Sequence, residues 1–420
     1  MVTINKILFI TFVTLSLLLT ACGSSSSGTA VQPSQNFSHI PSVPDAVRDN
    51  PLESVSGKTA IEYFRDEKIL AGLNIGNSLD SHNGGVGGET TWGNPAINQA
   101  LMNGIKAAGF DIVRIPVTWM GSFRSAPDYR LFTNRLERVA AVAEMARDAG
   151  LKAVINLHHD GSTQSGGRDL GWLSIGQASR NRDAHDRITA QYARAWVQIA
   201  TYFQNYGDWL FFESFNELHD GSWQTTNDPG QFIILNRWNQ LFVDIVRSTG
   251  GNNQSRYLIV GAYCKDNVQA LSPGFIMPED SVPDRLILSF HYYTPHDLAI
   301  QGSRSAWGTP ADRERVETHF APFKERFMDK NIPVIIGETG AVLQLHPEDP
   351  AREAQARQSR YDYIQHVFAT ASKYGLVPIY WDNGATTGSG EKFGLFDRRT
   401  GQPNSQDSRA LITAMIRAVR

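Results

Sequence analysis

From about residue 69 to the C-terminus, short apolar runs alternate with longer amphipathic stretches. The runs Ile69–Ile75, Ile112–Pro116, Lys152–Leu157, Leu210–Ser214, Tyr257–Val260, Leu286–His291, Pro333–Gly337 and Pro378–Trp381 are mostly apolar and rich in β-branched or aromatic residues. Runs of this kind fit strands buried on both faces, as in a parallel sheet. Between them the apolar period lengthens to that of a helix. Asn94-Pro95 reads as an N-cap with proline at the first helical position, opening a helix that ends at Ala108 before Gly109. Leu136, Val139, Val142, Ala143 and Ala146 form one face of the next helix, which Gly150 closes. Further helices are predicted near Ile188–Tyr206, Ile233–Thr249, Arg313–Lys330, Arg352–Tyr374 and Ser408–Val419. The crossover after the fifth strand shrinks to a short turn near Asn267–Leu271.

Eight βα units in order predict an α/β fold, a single (β/α)8 TIM barrel with extended loops at the C-terminal face of the strands. The competing doubly wound sheet would carry a glycine-rich phosphate turn after the first strand. Gly72-Leu73-Asn74-Ile75-Gly76-Asn77 does not have that spacing.

The chain ahead of the barrel reads differently. Residues 1–21 have the anatomy of an export signal: Lys6 is the only charge before an apolar run from Ile7 to Leu19, too short to span a bilayer. Leu19-Thr20-Ala21-Cys22 resembles a bacterial lipobox, which predicts Cys22 as a lipid-bearing N-terminus and a cell-envelope location, with plain secretion as the alternative. Gly23 suits outer-membrane sorting if the cell is Gram-negative. Residues 22–56 read as a tether, with a serine run at Ser24–Ser27 and Pro33, Pro41, Pro44 and Pro51 among few apolar residues. Residues 57–420 form the barrel domain.

Charge and cysteine content narrow the function. The formal net charge is −3 and no basic block stands out, so a nucleic-acid partner has no support. With Cys22 lipidated, Cys264 is the only thiol left, no intrachain disulfide forms, and stability rests on a large core. A monomer is expected.

Polar residues collect where the predicted strands end. Glu217 follows the fourth run and Glu338 the seventh, and carboxylates there point into the mouth of a barrel. Two facing carboxylates are what cleavage of a glycosidic bond requires. Arg114 ends the second strand, with Pro116 and Trp119 beyond it. Asn156-Leu157-His158-His159-Asp160 ends the third, Asn216 precedes Glu217, His291-Tyr292-Tyr293 ends the sixth, and Trp381-Asp382-Asn383 the eighth. Singly, each has a plain explanation as an ion-pair member, a core histidine or a packing residue. Six strands ending this way point to a site.

These segments carry a specific resemblance. Arg114-Ile115-Pro116-Val117-Thr118-Trp119, Asn156-Leu157-His158-His159-Asp160, Phe215-Asn216-Glu217, His291-Tyr292-Tyr293 and Gly337-Glu338 are similar to the motifs of glycoside hydrolase family 5, the large cellulase family. Asn74-Ile75-Gly76-Asn77-Ser78-Leu79-Asp80, Glu89-Thr90-Thr91-Trp92-Gly93-Asn94-Pro95 and Phe393-Gly394-Leu395-Phe396-Asp397 resemble its endoglucanase and xyloglucanase subfamily 4. The resemblance implies a retaining endo-β-1,4-glucanase without a cofactor, acting by double displacement on β-glucan. Glu217 would be the acid/base and Glu338 the nucleophile, about 5 Å apart. Arg114 and Tyr293 would hold Glu338, Asn216 would bind the sugar 2-hydroxyl, and His158 and His291 would complete the polar shell. Asn74, Trp119, His159 and Trp381 are expected to contact substrate, with Trp381 as the platform beneath the sugar at the cleavage point. Trp92, Trp172, Trp223 and Trp307 are further candidates, divided between subsite and core.

Xyloglucan, mixed-linkage glucan and, further off, mannan are alternative substrates for the same mechanism. A glycan-binding surface lipoprotein on an inactive barrel is the reading from another class; the intact carboxylates, Arg114, Asn216 and Tyr293 weigh against it. The chain departs from many relatives at Thr339-Gly340, where an aromatic often precedes Gly, and at Leu218, where Pro often follows the acid/base. The Gly-rich stretch from Asn83 to Gly88 suggests a mobile loop beside the cleft. No catalytic metal is expected: adjacent strand residues point to opposite faces, so His158 and His159 should not reach one ion, and no HExxH set is present.

Overall fold

The structure is a computed structural model that describes residues 47–420, apart from Gly84, residues 165–167, Gln224, Asn227 and Ser389. The predicted signal, Cys22 and most of the predicted tether lie outside the described residues. Eight parallel strands close into one barrel: β1 Gly72–Ile75, β2 Ile112–Ile115, β3 Lys152–Asn156, β4 Leu210–Glu213, β5 Leu258–Asp266, β6 Leu286–Tyr292, β7 Val334–Thr339 and β8 Val377–Asp382. Each strand pairs with its neighbours in sequence, and β8 pairs back to β1. Their burial on both faces is what the continuous apolar runs require.

Helices fill the crossovers. They are α1 Ala60–Asp66, α2 Gln99–Ala107, α3 Thr133–Asp148, α4 Ile175–Arg180, α5 Arg182–Tyr202, α6 Pro229–Ser248, α7 Asn267–Ala270, α8 His296–Ala299, α9 Pro310–Arg326, α10 Pro350–Lys373 and α11 Gln406–Val419. Among the described residues, no helix is long and apolar enough to cross a membrane.

Three features differ from the sequence reading. α1 precedes the barrel, started by a capping box between Thr59 and Glu62. It lays Tyr63 and Phe64 against Phe211 and Tyr257 near the N-terminal ends of β4 and β5, closing the end of the barrel opposite the strand termini. The domain also begins before residue 57. Glu53 accepts hydrogen bonds from the Gly207 amide and the Trp209 indole, Ser56 donates twice to Asp208, and Arg48 pairs with Glu144. Those polar groups find partners on the barrel instead of water, so residues 48–56 are part of the fold. Finally, Asn94 does not cap α2. Its amide donates to the carbonyls of Asn77 and Asn383, tying the β1 and β8 loops together, and Asn98 caps the helix through the Leu101 amide.

Strand register sets the site. Asn74 lies opposite Arg114 on one side and Trp381 on the other, Asn156 lies opposite Glu213, and His291 lies opposite Glu338. One layer near the C-terminal ends of the strands therefore holds these polar residues together.

Candidate active site

Glu338 is held in the barrel mouth by two donors. Its Oε1 accepts from Arg114 Nη1 at 2.7 Å and its Oε2 from the Tyr293 hydroxyl at 3.1 Å. Arg114 is itself fixed on every side and wholly buried. Its Nε donates to Glu213 (2.7 Å), Nη1 also to Asn74 Oδ1 (3.0 Å), and Nη2 to Asn216 Oδ1 (2.7 Å). The guanidinium plane thus fixes the nucleophile candidate and the Asn216 amide in one geometry.

Glu217 is placed differently. Four residues beyond the end of β4, its Oε1 lies 2.6 Å from His291 Nδ1, and among the described residues no lysine or arginine pairs with it. One carboxylate oxygen of Glu217 and one of Glu338 lie within 4.8 Å of each other and of His291. That separation fits the retaining arrangement; an inverting pair needs room for a water between wider-set carboxyls. Burial raises both carboxyls, and the negative charge of Glu338 raises Glu217 further. For Glu338, the charge and hydrogen bond of Arg114 and the Tyr293 hydroxyl act in the opposite sense. Glu338 is therefore the easier of the two to ionise and Glu217 the one that holds its proton longer, an asymmetry of the kind that a nucleophile and an acid require. Burial, with Arg114 nearby, pushes His291 well below its ordinary value. The imidazole beside Glu217 is neutral.

The other expected residues divide into cleft and scaffold. His158 sits beneath the site with its Nδ1 3.2 Å from the Asn156 amide and its Nε2 3.5 Å from the Asn216 amide. Trp381 stacks nearly parallel to it, with centroids 5.8 Å apart. Gly76 makes this possible, because a Cβ there would stand 2.7 Å from the indole ring. His159 packs against Trp92 and His82 at ring separations of 5.3 Å, on a wall where Trp92 is 41% exposed.

Asn74 and Trp119 do not meet the expectation of substrate contact. Both are completely buried. Asn74 spends its oxygen on Arg114 and its amide on the Gly337 carbonyl, while the Trp119 indole donates to the Asn156 carbonyl. Each orients a site residue from behind. Trp307 packs edge-on against Tyr363 of α10 and is core, Trp172 is half-buried with its indole on Asp160, and Trp223 is half exposed over His219.

Two further expectations change. The premise used against a metal fails, because β3 ends at Asn156 and a 3-10 turn starts at His159. The two imidazoles then sit 4.5 Å apart, and Asp80, His158 and His159 each offer one ligand atom within 4.8 Å of the others. Asp80 already accepts the Asn77 and Ser78 amides. The Gly-rich loop is also tied down where described: Val86 donates to the Asn83 side chain, Gly87 to the Met120 carbonyl and Gly88 to the Ser81 carbonyl.

Sequence reasoning missed Glu213 and Lys265. Glu213 Oε1 accepts from Lys265 Nζ at 3.0 Å, and its Oε2 accepts from Arg114 Nε and the Asn156 amide. Both side chains are completely buried. A charged residue inside an apolar strand run was the available signal for Glu213.

With this geometry in view, comparison with known proteins is decisive. A family model described as "Cellulase (glycosyl hydrolase family 5)" matches residues 79–387. The chain belongs to glycosyl hydrolase family 5. It is 36% identical over 350 residues to Endoglucanase A of Paenibacillus barcinonensis, covering 78% of this chain and 83% of that one. It is 38% identical over 363 residues to the xyloglucan-specific endo-beta-1,4-glucanase BoGH5A of Bacteroides ovatus, covering 82% of this chain and 68% of that one. A solved GH5-4 broad specificity endoglucanase from Bacteroides salanitronis superposes with a TM-score of 0.78 at 39% identity, over 90% of this chain and 99% of that one. This family 5 member is a glycoside hydrolase on a TIM barrel, as the strand-end chemistry predicted.

Proposed function

We propose that the protein is a retaining endo-β-1,4-glucanase in which Glu338 attacks the anomeric carbon while Glu217 protonates the departing oxygen. The observation that carries this is the asymmetry of the pair. Glu338 lies on a cation and a phenol, Glu217 lies on a neutral imidazole, and one oxygen of each is within 4.8 Å of the other. In the first step the C1–O bond breaks as a carboxylate–C1 bond forms, and the proton on Glu217 passes to the leaving hydroxyl. In the second step Glu217 takes a proton from water, and the hydroxide displaces Glu338. Asn216, held through its oxygen by Arg114, faces His158 Nε2 with its amide nitrogen and has a second N–H to donate to the sugar 2-hydroxyl, a contact that strengthens as positive charge develops at C1. Trp381 offers a flat apolar face to the sugar ring.

Xyloglucan is the second reading of substrate, favoured by the 38% identical xyloglucan-specific relative. Reducing-sugar release from carboxymethylcellulose and from xyloglucan, by wild type and Glu338→Gln, tests both. Release by wild type should fall on the order of 10⁴-fold or more in the variant, and the faster polymer names the substrate. No release from either polymer would sink the proposal. We also place the enzyme at the cell envelope as a monomer anchored through Cys22. The support is the lipobox at Leu19-Thr20-Ala21-Cys22. Incorporation of labelled palmitate by wild type and its loss in Cys22→Ser is the expected result; equal labelling would contradict the anchor.

A further inference from the structure

Arg114 has two carboxylates to serve. It donates to Glu213 at 2.7 Å and to Glu338 at 2.7 Å, and all three side chains are buried. One positive charge shared between two carboxylates in a dry interior leaves one of them undercompensated. The balance comes from β5, where Lys265 Nζ sits 3.0 Å from the other oxygen of Glu213.

The chain goes to some length to put an ammonium there. Cys264 and Lys265 are consecutive non-glycine residues in the left-handed region, at φ 54° and 51°. That conformation costs about 1–2 kcal/mol for each residue. It also breaks the register of β5 against β6 between Gly261 and Asp266, turning the Lys265 side chain back into the barrel. Gly261 leaves the space, since a Cβ there would lie 2.5 Å from Lys265 Cδ and 2.6 Å from Nζ. Backbone strain held in place around a buried charge points to use rather than accident.

We propose that Lys265 is a positioning residue for the reaction: its ammonium neutralises Glu213, so that the guanidinium of Arg114 keeps a full charge for Glu338. This rests on Glu338 being the nucleophile, as argued above. Two cations then match two ionised carboxylates, and Glu217 is left as the group that carries a proton. The charged and titratable groups facing Glu338 are Arg114 from β2, Glu213 and Glu217 from β4 and its extension, Lys265 from β5, and His291 and Tyr293 from β6 and its extension. Glu391, in the loop after β8, acts on Glu217 and Tyr293. Burial pushes Glu213 up, yet Arg114 and Lys265 together hold it below its ordinary value, as a shared counter-ion requires.

The test reads the ionisation of Glu338 without involving Glu217. A 2-deoxy-2-fluoro-β-cellobioside with a dinitrophenolate leaving group is attacked by the carboxylate. A carboxylate–C1 bond forms, the C1–O bond breaks with its electrons, and the phenolate departs without needing a proton. The pH dependence of inactivation is compared for wild type, Lys265→Met, Glu213→Gln and the double variant. Lys265→Met should move the acidic limb up by about one pH unit and Glu213→Gln should move it down by a similar amount. The double variant should lie between them. A role confined to stability would lower the rates without moving the limb in opposite directions. Coincident limbs for wild type and Lys265→Met, or shifts of the same sign in the two single variants, would overturn the proposal. If Lys265→Met does not fold, Glu213→Gln against wild type decides: removal of the carboxylate that competes for Arg114 must lower the limb, and an unmoved or raised limb overturns the idea. Peptide mapping of the adduct keeps the two readings apart. A label off Glu338 refutes the nucleophile assignment, while a label on Glu338 with unmoved limbs refutes only the role of Lys265.

Discussion

The reaction centre and the rim of the cleft are built on opposite terms. At the centre the polar side chains are buried or half-buried and each is tied at least once: Arg114 contacts Glu213, Asn74, Glu338 and Asn216. At the rim, Trp92 is 41% exposed with its indole on the His82 carbonyl, and Trp223 is 51% exposed over His219. The centre is over-determined, so small changes there break more than one contact. The rim rings are fixed at one edge and present the other to whatever polymer arrives. The expectation is that the type of reaction follows from the interior, whereas changes at the rim alter the preference between cellulose-like chains and xyloglucan.

The largest break in that contrast comes from Glu217. Glu217→Ala should lower kcat on glucan by roughly 10²–10⁴-fold. On an aryl cellobioside whose leaving group needs no proton, the first step should be nearly unaffected, and added azide should restore turnover by replacing water as nucleophile. Equal loss on both substrates, without azide rescue, would remove Glu217 from the acid role. The same division sets the pH profile of the wild type. Activity should rise with pH as Glu338 ionises and fall as Glu217 loses its proton, and burial places both limbs above ordinary carboxyl values. A profile that keeps rising through the alkaline side would contradict a proton held on Glu217.

Smaller effects sharpen the comparison. Trp92→Ala should raise KM several-fold at nearly constant kcat, a loss of about 1 kcal/mol of binding shared by ground and transition states. Trp119→Phe should leave KM alone and instead lower unfolding stability by about 1–3 kcal/mol, because the buried Asn156 carbonyl loses its donor. If Trp119→Phe changed KM and Trp92→Ala did not, the assignment of rim and scaffold would be reversed.

The same contrast explains what the sequence made legible. Glu217, Glu338, Arg114, Asn216, His158, His291 and Tyr293 stood out because each lies within or just beyond the last residues of an apolar run, and polar residues at the ends of parallel strands collect at one mouth. Asn74 and Trp119 stood in similar places, yet their side chains face the interior. Whether a strand-end residue faces cleft or core depends on where pairing stops, and apolar runs locate that point only to within a few residues. His158 and His159 show the same limit: a turn after Asn156 brings together two rings that strand alternation would separate. Lys265 was hidden because a lysine after an apolar run reads as the end of a strand. In fact β5 continues to Asp266, and Glu213, a neighbour only in the fold, makes the burial possible.

The central claim is that Glu338 forms a covalent bond to sugar while Glu217 does not. Intact-mass and peptide mass spectrometry after incubation with the 2-fluoro cellobioside tests it most directly. The account predicts one adduct per chain, carried by the peptide containing Glu338 and absent from Glu338→Gln. No adduct on an enzyme that still cleaves glucan, or an adduct on Glu217, would contradict it.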